Sequence, residues 1–325
     1  MLVLVVSISL FGCGDINNQN LNANENSEVK QVADSVQVEE TTVEEIQADL
    51  ASDLDQVTDI NNYSVSSPDI VDVSEAEKQI YFYRDGLKIF GKLYLPEGDG
   101  PFPVLVMQPG FRGSQSICGS LKNKFIENGI ACLTYDCIGA TSPSKSDGLI
   151  LDMTFMTEVM DTYVVLDSIP SIPQLDTDNI FVYGHSVGGL VVTYASTHRP
   201  DDVKGIIAVE PSYQMRDEFD YFFPDDKDLP ESFTEPLYGG KQMIVDAKAF
   251  DPYEKMDEYN NSVLIFAGGK APSIGAEAIE YLDKAVELFP NAKMESVAEA
   301  DHSFSGEAQD LMLNLTVSFI NENLD

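Results

Sequence analysis

Asn179-Ile-Phe-Val-Tyr-Gly184-His185-Ser186-Val187-Gly188-Gly189-Leu190-Val191-Val192 reads as a buried strand (Ile180 to Tyr183), a Gly-x-Ser-x-Gly turn and the apolar start of a helix. A strand that reverses sharply into a helix crowds the positions two before and two after the serine, so only very small residues fit at Gly184 and Gly188. The pentapeptide alone is weak, because Gly and Ser are common residues. The strand before it and the helix start after it supply the context of a nucleophile elbow, a turn that lifts the Ser186 hydroxyl to the top of a sheet. Without that context Ser186 would be a serine in a glycine-rich loop.

A chain of 325 residues, 43% of them hydrophobic, has room for one large α/β domain plus appendages. Its formal charge of −36 (19 basic against 55 acidic side chains) disfavours nucleic acid, and equally an anionic membrane surface, as a partner reached through a basic patch. The acid is unevenly placed: residues 14–77 hold 16 acidic side chains against one lysine, Lys30, and one aromatic, Tyr63. Such a segment buries too little apolar surface to offset its ordering entropy, and we expect residues 14–77 to be a disordered acidic tether.

Ahead of it, Leu2 to Phe11 is an apolar run followed by Gly12-Cys13. The run is too short to span a bilayer and fits the core of a signal peptide. Leu10-Phe11-Gly12-Cys13 resembles a bacterial lipobox, in which Cys13 would be lipidated. The expectation is an extracytoplasmic protein held to the bacterial cell membrane through an N-terminal lipid only, with secretion on an ordinary signal as the alternative. The bulky Phe11 and the absence of basic residues before the run depart from that pattern. Of the remaining thiols, Cys118, Cys132 and Cys137, at least one must be free. A disulfide between two of them is open as to the pair. No CxxC, HExxH or Cys/His cluster occurs, so no metal and no cofactor is expected.

The folded part is expected over residues 78–325. Lys78–Tyr83 and Lys88–Tyr94, joined at Asp85-Gly86, form an expected edge hairpin. Val104–Gln108 is a continuous apolar strand, which indicates burial on both faces. Then come a helix (Ser116–Asn128), a strand (Ile130–Asp136), a loop to Gly148, a helix (Thr154–Ser168), the elbow, and a buried strand (Val203–Val209). Alternation at this spacing predicts a doubly wound, mostly parallel α/β sheet. Residues 210–261 break the rhythm and read as a cap. The pattern resumes with strand Val263–Gly268, helix Ala276–Phe289, strand Lys293–Val297, a turn carrying His302, and a closing helix over 307–323.

Gly110-Phe111-x-Gly113, Tyr135-Asp136 with Gly139, Gly184-His185-Ser186-Val187-Gly188-Gly189 and Ala300-Asp301-His302-Ser303-Phe304, in that order, resemble the α/β-hydrolase fold over residues 78–325. Within it the chain looks most like bacterial cinnamoyl (feruloyl) esterases and dienelactone-hydrolase-like proteins. A serine hydroxyl needs a base within reach, and histidine is the best-matched side chain. Of three histidines, His185 lies inside the elbow and points away from Ser186, and His198 ends the following helix. His302 stands where the resemblance puts the base. The resemblance also implies an oxyanion hole from the backbone amides of Phe111 and Val187; Phe111 could equally wall an acyl pocket.

The acid departs from the family's pattern, since counting from Gly268 brings Ala271 to its usual position. Glu210, directly after the strand Val203–Val209, should sit at the carboxyl edge of the sheet and is the candidate acid. Glu277, the neighbouring Asp301, Asp136 (expected mainly to anchor its own loop) or no acid at all remain alternatives. The resulting expectation is a serine esterase acting on small-molecule or polysaccharide-linked acyl or hydroxycinnamoyl esters through an acyl-enzyme. Tyr213, Phe219, Tyr221, Phe222 and Phe223 of the cap could line an aryl pocket or form its core. A peptidase or thioesterase of the same fold is the alternative enzyme, and a non-catalytic surface binding protein on a degenerate scaffold the alternative from another class.

Overall fold

The computed structural model describes residues 56–325 except Ser142, Asp226, residues 271–277 and Asp325. The expected leader with Cys13 and residues 14–55 of the expected tether lie outside the described residues.

One sheet of nine strands organises the domain. In chain order the strands are β1 (Val65–Asp72), β2 (Glu77–Arg84), β3 (Leu87–Tyr94), β4 (Phe102–Gln108), β5 (Ala131–Tyr135), β6 (Leu175–His185), β7 (Gly205–Val209), β10 (Ser262–Gly268) and β11 (Ala292–Val297). Two further strands, β8 (Ser232–Phe233) and β9 (Gly239–Gly240), pair with each other in the cap. Across the sheet the order is β1-β2-β3-β5-β4-β6-β7-β10-β11. From β5 to β11 neighbours run parallel, and β1, β2 and β3 are antiparallel. The expected mixed α/β architecture is therefore present. β4, β5 and β7 carry almost only buried side chains, because apolar clusters cover both faces of the sheet. The chain runs from β4 outward to β5 and then returns to place β6 on the other side of β4. In open α/β sheets ligands bind beyond the carboxyl ends of the strands at such a reversal.

The folded domain begins before the expected boundary at residue 78. β1 pairs with β2 from Val65↔Arg84 to Asp72↔Lys78, so the hairpin of β2 and β3 is not the edge. The strand hides in the sequence because nearly every residue of it is exposed and nothing alternates. Pro68, which lacks an amide to donate, falls where the register slips between Ser66 and Asp69, at the outermost strand where such a residue is tolerated. Upstream, Thr58 donates its amide (2.9 Å) and hydroxyl (2.8 Å) to the buried Asp246 carboxylate. Asp246 also accepts from Thr154 Oγ1 at 2.6 Å and Gln242 Nε2 at 2.9 Å.

The expected helix over 116–128 is two short ones, α1 (Gln115–Gly119) and α2 (Lys122–Ile126), broken at Gly119-Ser120, which are poor helix formers. Helix α3 (Phe155–Ser168) starts on a capping box between Thr154 and Thr157. Next come α4 (Val187–His198), the cap helices α5 (Met215–Phe222) and α6 (Lys241–Ala249), α7 (Ala278–Leu288) and the closing α8 (Glu307–Glu322). Cys118, Cys132 and Cys137 are all buried and unpaired.

Helix α3 carries two fully buried carboxylates. Asp161 is paired with Arg84 (2.7 Å) and accepts from the Ile138 amide. Glu158 accepts only from Gln108 Nε2 (2.7 Å), its second oxygen has no partner, and burial with Asp161 nearby pushes its pKa well above the usual carboxylate range. The folded chain thus holds a proton that the unfolded chain releases near pH 4.3, and the associated stability is lost as pH rises through the folded-state value. Glu158→Gln keeps an acceptor for Gln108 without ionising. Thermal melts at pH 5 and pH 8 should show the variant losing less Tm over that interval than wild type; equal losses would mean that Glu158 stays ionised when buried.

Candidate active site

The elbow closes β6 and opens α4. Ser186 adopts φ 58° and ψ −125°, a conformation costing a non-glycine residue on the order of 1–3 kcal/mol. The surrounding backbone enforces it. A Cβ on Gly184 would lie 2.1 Å from the Gly188 carbonyl oxygen, and one on Gly188 would lie 2.4 Å from that of Pro109. The Ser186 amide donates to Val209 (2.9 Å) and its carbonyl accepts from Ser212 (3.2 Å), which ties the turn to the end of β7.

Beyond β4, the Gly113 amide closes a turn onto the Gly110 carbonyl at 2.8 Å, with Phe111 and Arg112 at its corner and Arg112 at φ 63°. A Cβ on Gly110 would come within 3.6 Å of Ser186 Cβ, so this loop passes beside the nucleophile. Val187 is the first residue of α4, where an amide has no intrahelical acceptor. Neither the Val187 nor the Phe111 amide donates to any group among the described residues.

His302 follows β11 on a loop pinned by Ala300 N to Val297 O (3.0 Å) and Lys270 N to Ala300 O (2.9 Å). Its Nδ1 lies 3.6 Å from Glu210 Oε2. Both atoms are buried and both lack a hydrogen-bond partner. That separation is longer than a hydrogen bond, and an orphaned buried polar atom costs about 1–3 kcal/mol, so a small closing movement satisfies two groups at once. Glu210 is firmly held: 1% exposed, its amide bonded to Phe266 O at 3.0 Å and its Oε1 accepting from the Gly268 amide. Its φ of 49° turns the chain out of the sheet at that point.

The other carboxylates are engaged elsewhere or undescribed. Asp301 accepts from the Ser305 amide (3.0 Å) and hydroxyl (2.6 Å), bonds that hold its pKa below the usual range. Asp136 accepts from the amides of Gln115 (2.6 Å) and Lys145 (2.9 Å), anchoring two loops. Ala271 and Glu277 lie outside the described residues.

The Ser186 hydroxyl is not hydrogen-bonded to His302 in this conformation; its neighbour is the Ser212 hydroxyl at 3.5 Å. Catalytic hydrogen bonds are commonly long before substrate binds. Ser212 was not visible as a site residue in the sequence, where nothing distinguishes it from other loop serines. The His185 ring meets the base-bearing loop: its Nε2 lies 2.6 Å from the His302 carbonyl, and burial pushes its pKa down. His198 caps α4 through Tyr194 O at 2.9 Å.

The cap aromatics do not gather into one pocket. Tyr213 and Phe219 are fully buried, Phe223 packs on Phe219 and Phe233, and Tyr221 and Phe222 face solvent at 73% and 43% exposure. A groove between α5 and α7, lined by Asp217, Tyr253, Tyr281 and Lys284 among others, includes none of Ser186, His302 and Glu210.

Residues 100–297, more than half of the chain, match the family described as serine aminopeptidase, S33. Esterase FrsA of Escherichia fergusonii is 30% identical over 129 residues, 39% of this chain and only 29% of that protein's length. Among solved structures, Est1E from Butyrivibrio proteoclasticus with ferulic acid bound superposes with a TM-score of 0.67 at 22% identity, covering 75% of this chain and 98% of that one. Acetyl xylan esterase 1 from Thermoanaerobacterium sp. does so with a TM-score of 0.58 at 16% identity, covering 85% and 93%.

Proposed function

Starting from the fact that the chain belongs to the serine aminopeptidase S33 family of α/β-hydrolases, we propose that it is a carboxylic ester hydrolase working through a Ser186–His302–Glu210 triad. The observation that carries the reading is the buried Glu210 carboxylate facing His302 Nδ1 at 3.6 Å beside a strained serine. In the first half-reaction His302 Nε2 takes the Ser186 proton as Oγ attacks the ester carbonyl. The oxyanion is received by the Phe111 and Val187 amides, and the alcohol departs with the proton from His302. Water, activated by the same ring, then attacks the acyl-enzyme and releases the acid. Glu210 holds the ring's tautomer and stabilises the imidazolium.

Esters rather than amides are favoured by the esterase relatives, FrsA, Est1E and acetyl xylan esterase 1. By the same likeness the acyl group is a short or hydroxycinnamoyl one on a small molecule or polysaccharide. The apolar run before Cys13 supports an extracytoplasmic, lipid-anchored location. A panel of para-nitrophenyl acyl and hydroxycinnamoyl esters set against aminoacyl para-nitroanilides, run with a fluorophosphonate probe, tests the reaction class. Ester turnover with labelling at Ser186 is expected. Turnover of anilides alone would make the enzyme a peptidase, and neither turnover nor labelling would make it a binding scaffold.

A further inference from the structure

We propose that His185 is a positioning residue that fixes the base-bearing loop to the elbow; this rests on the serine-hydrolase reading. A carbonyl oxygen only accepts, so the 2.6 Å contact to the His302 carbonyl requires the hydrogen on His185 Nε2. Burial pushes the ring's pKa down and so favours the neutral form, in which Nδ1 is bare. Both ring nitrogens have a neighbour, Nε2 the His302 carbonyl and Nδ1 the Gly110 backbone. The rings of His185 and His302 lie 4.7 Å apart at 53°. On the other side, a Cβ on Gly110 would stand 3.6 Å from His185 Nδ1 and 3.2 Å from its carbonyl oxygen. One imidazole therefore separates and spaces the oxyanion loop and the base loop, while its own backbone is part of the elbow.

The bond matters because of where else the base loop is tied. Its other backbone bonds, at Ala300 and between Phe304 and Asp301, lie on either side of His302, and the His302 carbonyl itself is held by His185. His302 has to meet Glu210 on one edge and Ser186 on the other. A misplacement of about 1 Å in such an arrangement costs roughly 10²-fold in rate. The loss belongs to kcat, since the ring transfers its proton only in the transition state and substrate binding does not require it.

The test compares three variants on one ester, with kcat, KM, Tm and the rate of fluorophosphonate labelling measured for each. Gln carries its amide nitrogen at nearly the reach of histidine Nε2, Asn falls short of it, and Phe keeps the ring volume without a donor. His185→Asn and His185→Phe should lose about 30- to 100-fold in kcat with KM within about twofold. His185→Gln should recover most of that loss, and labelling should slow in parallel with kcat. If Phe does not fold, the Asn and Gln pair still decides. Wild-type kcat in Asn and Phe, equal losses in all three variants, or losses that follow Tm rather than the donor would overturn the inference. Failure of the underlying reading looks different: wild-type protein would then neither hydrolyse the ester nor take the probe.

Discussion

Ser186→Ala should abolish ester hydrolysis, with turnover falling on the order of 10⁶-fold, because the members of a nucleophile-base unit act together. Its melting temperature should barely move, since the hydroxyl's one hydrogen-bonding neighbour among the described residues is the Ser212 hydroxyl at 3.5 Å. Ser186→Gly should be equally inactive and yet melt higher than the alanine variant. Alanine retains the Cβ that makes φ 58°, ψ −125° unfavourable, whereas glycine relieves about 1–3 kcal/mol of it against about 0.5–1 kcal/mol of added freedom in the unfolded chain. Single-turnover kinetics and thermal melts on both proteins check the pair. Activity of the alanine variant within tenfold of wild type would move the nucleophile elsewhere, with Ser212 the next hydroxyl in reach.

Glu210→Gln should cost about four orders of magnitude in turnover, as expected when the acid of a triad is replaced by its amide. The geometry says why. The glutamine oxygen would keep the bond from the Gly268 amide, which turns its NH₂ toward His302 Nδ1. Nδ1 must then accept, the ring's hydrogen moves to Nε2, and the nitrogen that should take the serine proton is already protonated. Folding should be little affected, because size and the Gly268 bond are preserved. Wild-type turnover in Glu210→Gln would remove Glu210 from the mechanism.

The elbow was legible because crowding leaves almost no freedom at Gly184 and Gly188, so backbone geometry is written directly in residue type. The buried strands were legible for a related reason: β4, β5 and β7 are covered on both faces and read as unbroken apolar runs. β1 was not, since an exposed outer strand with Pro68 at its irregularity has no burial to impose a pattern. Glu210 could be placed at the sheet edge from the sequence, but that its carboxylate turns toward His302 depends on the φ of 49° that follows β7 and on a backbone amide 58 residues away. His185 carried no such signal. Its partner is a main-chain carbonyl, and main-chain atoms leave no trace in residue identity.

The clasp that Thr58 makes on Asp246 acquires a mechanical meaning from its place in the chain. Among the described residues, force applied to the N-terminal segment reaches the domain at Gln56, whose carbonyl accepts from Gln242 Nε2 at 2.8 Å, and at Thr58, before it reaches the β1–β2 ladder. At that point it meets a buried carboxylate that also grips Gln242 and Thr154. Gln242 and Asp246 belong to α6 of the cap, and Thr154 is the N-cap of α3, one turn ahead of Glu158. Tension on the tail is therefore delivered to α6 of the cap and to the start of α3 before it reaches the β1–β2 ladder of the sheet.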